Sequence, residues 1–486
     1  MKPFFFGALL FVSLVTLAFA GSATWNLNPT SGDWNTVNNW TPATVPNGPN
    51  DIATFRVSTV TDISFSADTE VNGIVFDQGA SAFTISPTPF GSTLVLSGGG
   101  ITNNSGIAQT FALLPTFTGP GLIQFGGSAT AGRKTFFVSN GVASGPAPEI
   151  DFIDSSSAGS AAFTNNGALA SGLPGCLISF SGNSTAARAM ITNNGATVAG
   201  AEGGITRFTD TSFAGNATLI ANGGSNGGDG GLIQFSDSAD GVSARIKLSG
   251  NGTLDTTNVT DRNGTTIGSL EGDGNVLLGT RGLTIGTNNR STEFSGLIQG
   301  SASITKEGSG TLTLTGANIY SGITYVNQGV LKVGNQTSSA TGTGFVVIYS
   351  GGTLAGGGIV GGNVSVSGGV LAPGTGATTL KIRRVLSITG ASTYLWKVKT
   401  TSARADKVVA KGVIIVPGAF FSGLAIGDAV LPPGTTFTAI DNTSTDPISG
   451  IFAGLPDGGT TTIGNNTFQV NYEGGDGNDF TLTVVE

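Results

Sequence analysis

The sequence predicts an all-β protein folded as a right-handed parallel β-helix, a solenoid, with a C-terminal β cap region. Three observations predict it. Glycine supplies 79 of 486 residues, a two-strand unit recurs every 27 or 28 residues, and shorter Gly-x-Leu units follow. Glycine and β-branched residues disfavour helix, whereas short strands joined by Gly and Asn turns suit this composition. Self-similarity at a nearly fixed period is typical of a solenoid.

Residues 1–20 have the features of a signal peptide. Lys2 gives a short positive start, residues 4–17 are apolar, and residues 18–20 read Ala-Phe-Ala, which fits a small-x-small cleavage site. A transmembrane anchor is the alternative, but the apolar run is short for a bilayer. We expect cleavage near Ala20, a secreted, extracellular or outer-membrane-associated cell-surface location, and no transmembrane segment in the mature chain.

Residues 21–115 are expected to form an N-terminal cap and the first coils of the β-helix. Trp25, Trp34 and Trp40 lie close together in this region. Three tryptophans could form a platform on which sugars stack. The open end of a solenoid, however, must be covered, and covering that end is the interpretation that we favour.

A column of phenylalanines is predicted between residues 121 and 252. Phe125, Phe152, Phe180, Phe208 and Phe235 are spaced by 27, 28, 28 and 27 residues, each in an apolar-x-Phe strand. In a parallel β-helix, equivalent residues of successive coils lie about 4.8 Å apart. The five rings should therefore stack inside the solenoid.

Asparagines recur in the same units. Asn140, Asn166, Asn194 and Asn222 are each followed by glycine, at spacings of 26, 28 and 28 residues. Such a column can form a hydrogen-bonded ladder between coils, or its members can be left-handed turn residues before glycine. The turn interpretation is the one favoured from sequence.

A second repeat begins at Lys306, and it carries a family resemblance. Residues 308–334 read GSGTLTLTGANIYSGITYVNQGVLKVG and resemble the autotransporter-associated β-strand repeat, also called the passenger-associated transport repeat. The matching positions are Gly308, Gly310, Thr311, Leu312, Leu314, Gly316, Asn318, Tyr320, Gly322, Thr324, Val326, Gly329 and Leu331. Ile323 stands where the family often has glycine. Segments 24–55, 350–374 and 472–485 resemble the flanks of the same large secreted bacterial proteins.

The resemblance implies a β-helical passenger-like protein, outside the cell or on its surface. Residues 116–390 are expected to form the β-helix that contains these repeats, and about twenty coils at ~4.8 Å each would span roughly 100 Å. Autotransporters also need a C-terminal translocator of many amphipathic strands. Residues 391–486 are too few and lack that pattern, so we expect a C-terminal β segment, and either export through another system or retention in the periplasm or at the surface through a partner.

Composition excludes several classes of chemistry. The chain has no histidine and one cysteine, Cys176, so it cannot build a Ser-His-Asp triad, a histidine-ligated zinc site or an iron–sulfur cluster. A pI near 4.6 argues against nucleic acid as a partner. Cys176 has no recognisable activating neighbour and is expected to be a passive thiol. We assign no catalytic residue, no cofactor-binding residue and no metal ligand, and expect no cofactor.

Some charged residues are candidates for chemistry, each with a plainer structural explanation. Asp273, and Asp476 with Asp479, resemble fragments of a glycine-rich Ca²⁺ repeat, but Asp beside Gly is also typical of turns. A polysaccharide-cleaving β-helix would use paired carboxylates or basic residues. The candidates are Glu149, Asp151, Asp154, Asp237, Asp240, Arg133, Arg188, Lys381, Arg383, Arg384 and the basic residues from Lys397 through Lys411. Solvated sheet edges are the favoured explanation.

The functional hypothesis is therefore a non-enzymatic surface or extracellular structural protein, such as an adhesin, whose partners are cell-surface glycans or an outer-membrane protein. One alternative is an extracellular β-helix that binds or degrades polysaccharides. Another is a module that stabilises a passenger or assists its translocation, together with a separate outer-membrane barrel.

Overall fold

The computed structural model describes residues 21–89, 91–114 and 121–485. It is an all-β parallel solenoid of about 15 turns, which confirms the predicted parallel β-helix; the C-terminal β cap region stays a prediction. The turns, called rungs below, are fewer than the twenty expected, because those between Leu122 and Leu232 each take 27 or 28 residues along one of its sheets. The signal peptide at 1–20 and the boundary at 115/116 lie outside the described residues. No helix in the described part is long and apolar enough to cross a membrane.

Sheet 1 has 13 strands, parallel except for the pairing of its first two. The strands are Ala23–Trp25, Trp40–Thr41, Gly48–Phe55, Thr69–Phe76, Thr93–Asn103, Leu122–Phe125, Glu149–Phe152, Leu177–Phe180, Ile205–Phe208, Leu232–Asp237, Thr253–Val259, Asn275–Leu278 and Leu297–Gly300.

Sheet 2 forms a second face along almost the whole solenoid. Its strands are Asp62–Phe65, Thr84–Pro89, Gln109–Leu113, Arg133–Ser139, Ser160–Asn165, Met190–Asn193, Thr218–Ala221, Arg245–Leu248, Ser269–Gly272, Thr292–Phe294, Thr311–Leu314, Gly329–Val333, Gly352–Ala355, Val370–Ala372, Thr393–Lys399 and Phe420–Ile426. The short strand Arg404–Ala405 pairs antiparallel with Thr393–Lys399.

Two further sheets belong to the C-terminal half. Sheet 3 consists of Thr265–Ile267, Leu283–Ile285, Ile304–Lys306, Thr324–Val326, Val346–Tyr349, Val364–Ser367, Leu386–Ile388 and Val413–Ile415. Sheet 4 consists of Ile359–Val360, Thr379–Ile382, Lys407–Ala410, Thr436–Asn442, Asp479–Val484, Asn466–Gly474 and Thr460–Ile463. The last four of these pair antiparallel with one another. Two 3₁₀ turns, Val37–Asn39 and Thr400–Ser402, complete the described elements.

The five periodic phenylalanines form the predicted stack. Phe125 pairs in register with Phe152, and the pairing continues rung by rung to Phe235. Successive ring centroids lie 4.6, 4.7, 4.7 and 4.9 Å apart with nearly parallel planes. Inward residues alternate with outward ones along each strand. Every second residue of a strand therefore enters the core, where it stacks on the equivalent residue of the next rung.

The asparagine column is a ladder, and the favoured turn interpretation is wrong. The Asn194 amide donates to Asn166 Oδ1, and the Asn222 amide donates to Asn194 Oδ1, both at 2.9 Å. None of these residues has a positive φ. Successive side-chain amides at rung spacing can each donate to the preceding rung and accept from the following one, and this hydrogen bonding outweighs the tolerance of Asn for left-handed backbone.

A second asparagine column lies inside the solenoid, one residue earlier in each repeat. Asn165 and Asn193 are fully buried. Their side-chain amides donate to the carbonyl oxygens of Ile205 and Leu232 at 2.7 Å, and Thr206 Oγ1 donates to Asn193 Oδ1 at 2.9 Å. The column therefore ties the end of a sheet 2 strand to the start of a sheet 1 strand in a later rung.

The repeat that begins at Lys306 owes its sequence pattern to rung stacking. Asn318 is buried; its Oδ1 accepts the Ile298 N–H at 2.8 Å and its amide donates to the Ala340 carbonyl at 2.6 Å. The asparagine thus joins the rung below to the rung above. A Cβ at Gly316 would collide with the Gly296 carbonyl of the preceding rung, so this position requires glycine.

Lys306 is the buried cation of the same repeat. Its side chain is 1% exposed, and its Nζ donates to the carbonyls of Glu307, Gly308 and Gln328 at 2.6, 2.8 and 3.2 Å. Burial lowers the pKa of the Lys306 ammonium to about 8, with Glu307 opposing the shift. The ammonium supplies donors to turn carbonyls that would otherwise lack them.

Candidate functional site

The three N-terminal tryptophans are buried, so their rings are not a sugar platform. Each exposes 2% or less of its surface. The Trp40 ring lies 5.0 Å from the Trp25 ring and 4.9 Å from the Trp34 ring, and all three indole N–H groups donate to backbone carbonyls. The cluster packs on Phe55. This burial agrees with the interpretation that they cover the first rungs.

The acidic candidates of sheet 1 make local contacts. Glu149 and Asp151 project outward from one strand, and the Ser179 hydroxyl donates to Asp151 Oδ1 at 2.5 Å. Burial first, and Asp151 second, raise the pKa of Glu149, while Arg207 opposes the shift. Asp154 accepts the Gly127 N–H at 2.9 Å and has a positive φ, which is typical of a turn.

The other acidic candidates also bind backbone amides. Asp240 accepts the Thr266 N–H at 2.6 Å, Asp273 accepts the Gly250 N–H at 2.9 Å, and Asp479 accepts the Asn442 N–H at 2.9 Å. Asp237 has a positive φ. In the described part of the chain, no group of three or more His, Cys, Asp or Glu side chains could hold a metal ion. Asp240, Asp273 and Asp479 thus bond to amides 26, 23 and 37 residues away in sequence, so these contacts are long-range rather than within one turn.

Three isolated candidates have the surroundings expected of structural residues. Cys176 is fully buried, and burial raises the pKa of its thiol to about 12; a thiolate is the reactive form, so this thiol is passive. Arg133 and Arg188 are both exposed. Arg133 pairs in register with Ser160 of the next rung, and the backbone N–H of Arg188 donates to the Gly159 carbonyl, so the two arginines lie two rungs apart.

The basic candidates are part of an unusual charge distribution. Between Glu307 and Asp428 the chain has one acidic residue, Asp406. The same segment has nine basic residues: Lys332, Lys381, Arg383, Arg384, Lys397, Lys399, Arg404, Lys407 and Lys411. Its formal net charge is +8 in a chain whose net charge is −8. Positive charge is therefore concentrated in one part of an acidic protein.

Five of these basic residues line two adjoining cavities on the solenoid. One, of about 630 Å³, is lined by residues that include Gln336, Thr378, Thr379, Lys381 and Lys407. The other, of about 420 Å³, is lined by Ser339, Gly342, Thr343, Gly361, Arg383, Arg384 and Lys411. Lys381 and Arg383 are two residues apart on one rung, so the cavities are neighbours. We call the two together the basic groove.

Four cations of the basic groove are available to a ligand. Lys381, Arg383, Arg384 and Lys411 are exposed, and none makes an ion pair within the described residues. Arg383 Nη2 donates to the Thr337 carbonyl at 3.3 Å. Lys407, in contrast, pairs with Asp441 at 2.9 Å.

The only acidic residue of this segment lies below the surface and shapes the groove. Asp406 is fully buried. Its carboxylate accepts the backbone N–H groups of Gly374, Gly376 and Thr378 at 3.1, 2.8 and 3.0 Å. Lys397 Nζ donates to the Gly374 carbonyl at 2.7 Å. The loop that forms one wall is thus fixed by charge-assisted hydrogen bonds.

Sequence reasoning found the cations of the basic groove but missed its wall. Gln336, Thr378 and Asp406 were not singled out, because nothing local in their sequence marks them. The signal that could have revealed the site was the absence of any acidic residue from 308 to 405 beside the dense basic run that starts at Lys381.

Comparison with known proteins relates the chain to autotransporter passengers. The passenger-associated-transport-repeat family model matches residues 304–333. The Adhesin BmaC autotransporter of Brucella suis biovar 1 (strain 1330) is 39% identical over 116 residues, 22% of this chain and 3% of that protein. The Extracellular serine protease of Serratia marcescens is 32% identical over 160 residues, 32% of this chain and 15% of that protein.

Among solved structures, the Haemophilus influenzae Hap adhesin matches with a TM-score of 0.20 and 11% identity, over 92% of this chain and 65% of that one. This chain spans a small fraction of the curated relatives' length. It is a passenger-like β-helix that carries a passenger-associated transport repeat, and its relatives place it among secreted or cell-surface proteins.

Proposed function

We propose that this passenger-like β-helix is a surface or extracellular adhesin that works by binding rather than by catalysis. The observation that carries the proposal is the position of the passenger repeat. Residues 304–333 match the family model, and they form rungs of the same solenoid whose following rungs, from Gln336 onward, line the basic groove. Repeat and groove thus share one continuous scaffold.

The non-enzymatic part of the proposal is supported by composition. One relative is a serine protease, but this chain contains no histidine, so it cannot supply the general base of a Ser-His-Asp triad. Among the carboxylates weighed as catalytic candidates, Asp154 and Asp240 accept backbone N–H groups and Asp151 accepts the hydroxyl of a neighbouring serine. An elongated repetitive surface is better suited to contact with large ligands.

The location and partners follow as parts of the same proposal. Passenger relatives favour an outer-membrane partner that exports the chain or holds it at the surface, after cleavage near Ala20. Cell-surface glycans are the proposed ligand class. The four unpaired cations of the basic groove support contact with acidic rather than neutral glycans.

Display and adhesion of the native protein test the proposal. Antibody against the chain should label intact cells and lose its signal after external protease, and deletion of the gene should reduce attachment to host or partner cells, with recovery on complementation. Purified protein should show no turnover of casein or of polysaccharides. Labelling only after cell lysis, unchanged attachment of the deletion strain, or specific turnover would each contradict the proposal.

A further inference from the structure

We propose that the basic groove binds acidic polysaccharide, through the carboxylate or sulfate groups along an extended chain. The inference rests on the proposed extracellular function, because that location selects polysaccharides among the polyanions that a cationic groove could accept. It goes further by naming the surface, the residues and the ligand chemistry.

Charge is the first argument. Lys381, Arg383, Arg384 and Lys411 project cations into adjoining cavities, and none has a carboxylate partner in the described structure. Guanidinium groups match carboxylate and sulfate oxygens with paired donors. Because the rest of the chain is acidic, an anionic ligand is steered to this groove and repelled elsewhere.

The arrangement of the groove selects an extended ligand. Its lining residues come from four successive segments, near Gln336, Ile359, Lys381 and Val409, and Ile359, Lys381 and Val409 pair in register on neighbouring strands. Lys381, Arg383 and Arg384 lie along one rung, and Lys411 lies on the next, so the cations form a row across the solenoid face rather than a single point. A single phosphate would engage only part of such a surface, whereas a chain with repeated anionic groups can engage all of it.

The other lining groups suit sugars rather than nucleic acid. Gln336, Thr343 and Thr379 offer amide and hydroxyl groups that can pair with sugar hydroxyls. No aromatic side chain is among the residues that line the two cavities, so bases would find no stacking surface, which single-stranded nucleic acid needs.

The groove is also preorganised. The buried Asp406 carboxylate holds three amides of the wall loop, and Arg383 is steadied by the Thr337 carbonyl. Groups held in place before binding lose less conformational freedom when the ligand arrives. The wall loop and Arg383 are therefore held in place before the ligand arrives.

The test is equilibrium binding of the purified mature chain to four immobilised probes: heparin, polygalacturonate, dextran sulfate and uncharged dextran. We expect binding to heparin or polygalacturonate, none to dextran, and an affinity that falls as NaCl rises. Dextran sulfate reports attraction by charge alone.

Two variants of equal net charge separate the groove from general electrostatics. Arg383→Gln/Arg384→Gln removes two groove cations, and Arg262→Gln/Arg281→Gln removes two exposed cations outside it. The groove variant should bind heparin or polygalacturonate about tenfold more weakly, from two exposed ionic contacts, and the control should bind as the parent does. Circular dichroism and the melting temperature of both variants should match the parent.

Equal losses in both variants, binding to dextran sulfate alone, or no binding to either acidic polysaccharide would overturn the inference. Its failure is distinguishable from failure of the proposed function. If cells display the protein and adhere through it while acidic polysaccharides neither bind nor compete, the ligand class is wrong and the adhesin proposal stands.

Discussion

The long rungs of the first half and the short rungs of the second fill the same solenoid in different ways. From Leu122 to Leu248, each rung takes 26 to 28 residues, and aromatic rings and asparagines stack in columns. From Leu283 to Ile415, three faces of short strands enclose mainly Leu, Ile and Val, with Asn318 and Lys306 as buried polar groups.

The comparison shows which features of a rung the fold fixes and which features can vary. Rung spacing is common to both halves, since strand pairing fixes it. Rung length and core chemistry vary, because each rung needs only to match its two neighbours. In the short rungs, the outer face of sheet 4 and the turns beside it form the basic groove. In the long rungs, the extra residues form loops around a small satellite core that includes Val142, Ala168 and Ala196.

The largest effect should come from interrupting the aromatic column. Phe180→Ala removes a fully buried ring stacked at 4.7 Å on both sides and should lower local stability by about 4 kcal/mol. Hydrogen exchange should show the loss in the rungs of Phe152 and Phe208 and spare sheet 3, since repeat stability is a nearest-neighbour property. Uniform loss across both halves would mean that the solenoid unfolds as one unit.

Asn318→Ala should weaken the short rungs by about 3 kcal/mol, because a buried N–H and a buried carbonyl in adjacent rungs both lose their partner. The exchange of the Ile298 amide measures the change directly. Asn318→Asp is the matched variant: it retains the acceptor for Ile298 and loses the donor to Ala340. Protection of Ile298 that is unchanged in Asn318→Ala would exclude the bridging role.

In the long rungs, Asn194→Ala should cost about 1 kcal/mol, because this ladder is partly solvated and water can replace its bonds. Asn193→Ala should lower stability by more, because the amide of this buried neighbour donates to the Leu232 carbonyl. Thermal melting and local exchange of the two variants compare the columns. An equal or larger effect at Asn194 would reverse the ranking of the two ladders.

The smallest effect near neutral pH should come from Lys306. Its pKa is about 8 in the folded chain against the ordinary 10.5, so between these values the unfolded chain binds more protons and stability rises with pH. Below about pH 8 both states are protonated and the contribution is constant.

Urea unfolding at pH 7, 8, 9 and 10 measures this dependence. Lys306→Met should abolish the increase in the free energy of unfolding above pH 8 that comes from this ammonium. Lys332→Met, at an exposed position, should retain that increase. The same rise in both variants would assign it to other groups.

Much of the fold was predictable from sequence, because rungs of nearly equal length appear in the sequence as a repeat with a nearly fixed period. The spacing of Phe152 and Phe180 was enough to predict their contact. The favoured role of Asn194 was wrong because the same Asn-Gly pair suits both a turn and a ladder, and only the alignment of rungs decides between them.

The site was less predictable. The cations Lys381, Arg383 and Arg384 were visible as a cluster, but a charge cluster at a sheet edge also serves solubility. Their position beside Lys411 and Thr343 depends on how residues of different rungs are placed next to one another, and local sequence does not encode that placement. The wall held by Asp406 arises from contacts about 30 residues distant in sequence.

Cysteine cross-linking tests the rung register most directly. In a Cys176→Ser background, Gln124→Cys with Asp151→Cys places thiols on outward positions paired between adjacent rungs, about 4.8 Å apart at Cα and within disulfide reach. Gln124→Cys with Ser179→Cys places them two rungs apart. Mild oxidation should close a disulfide in the first pair and not in the second. No closure in the first pair, or equal closure in both, would contradict the stacked-rung account.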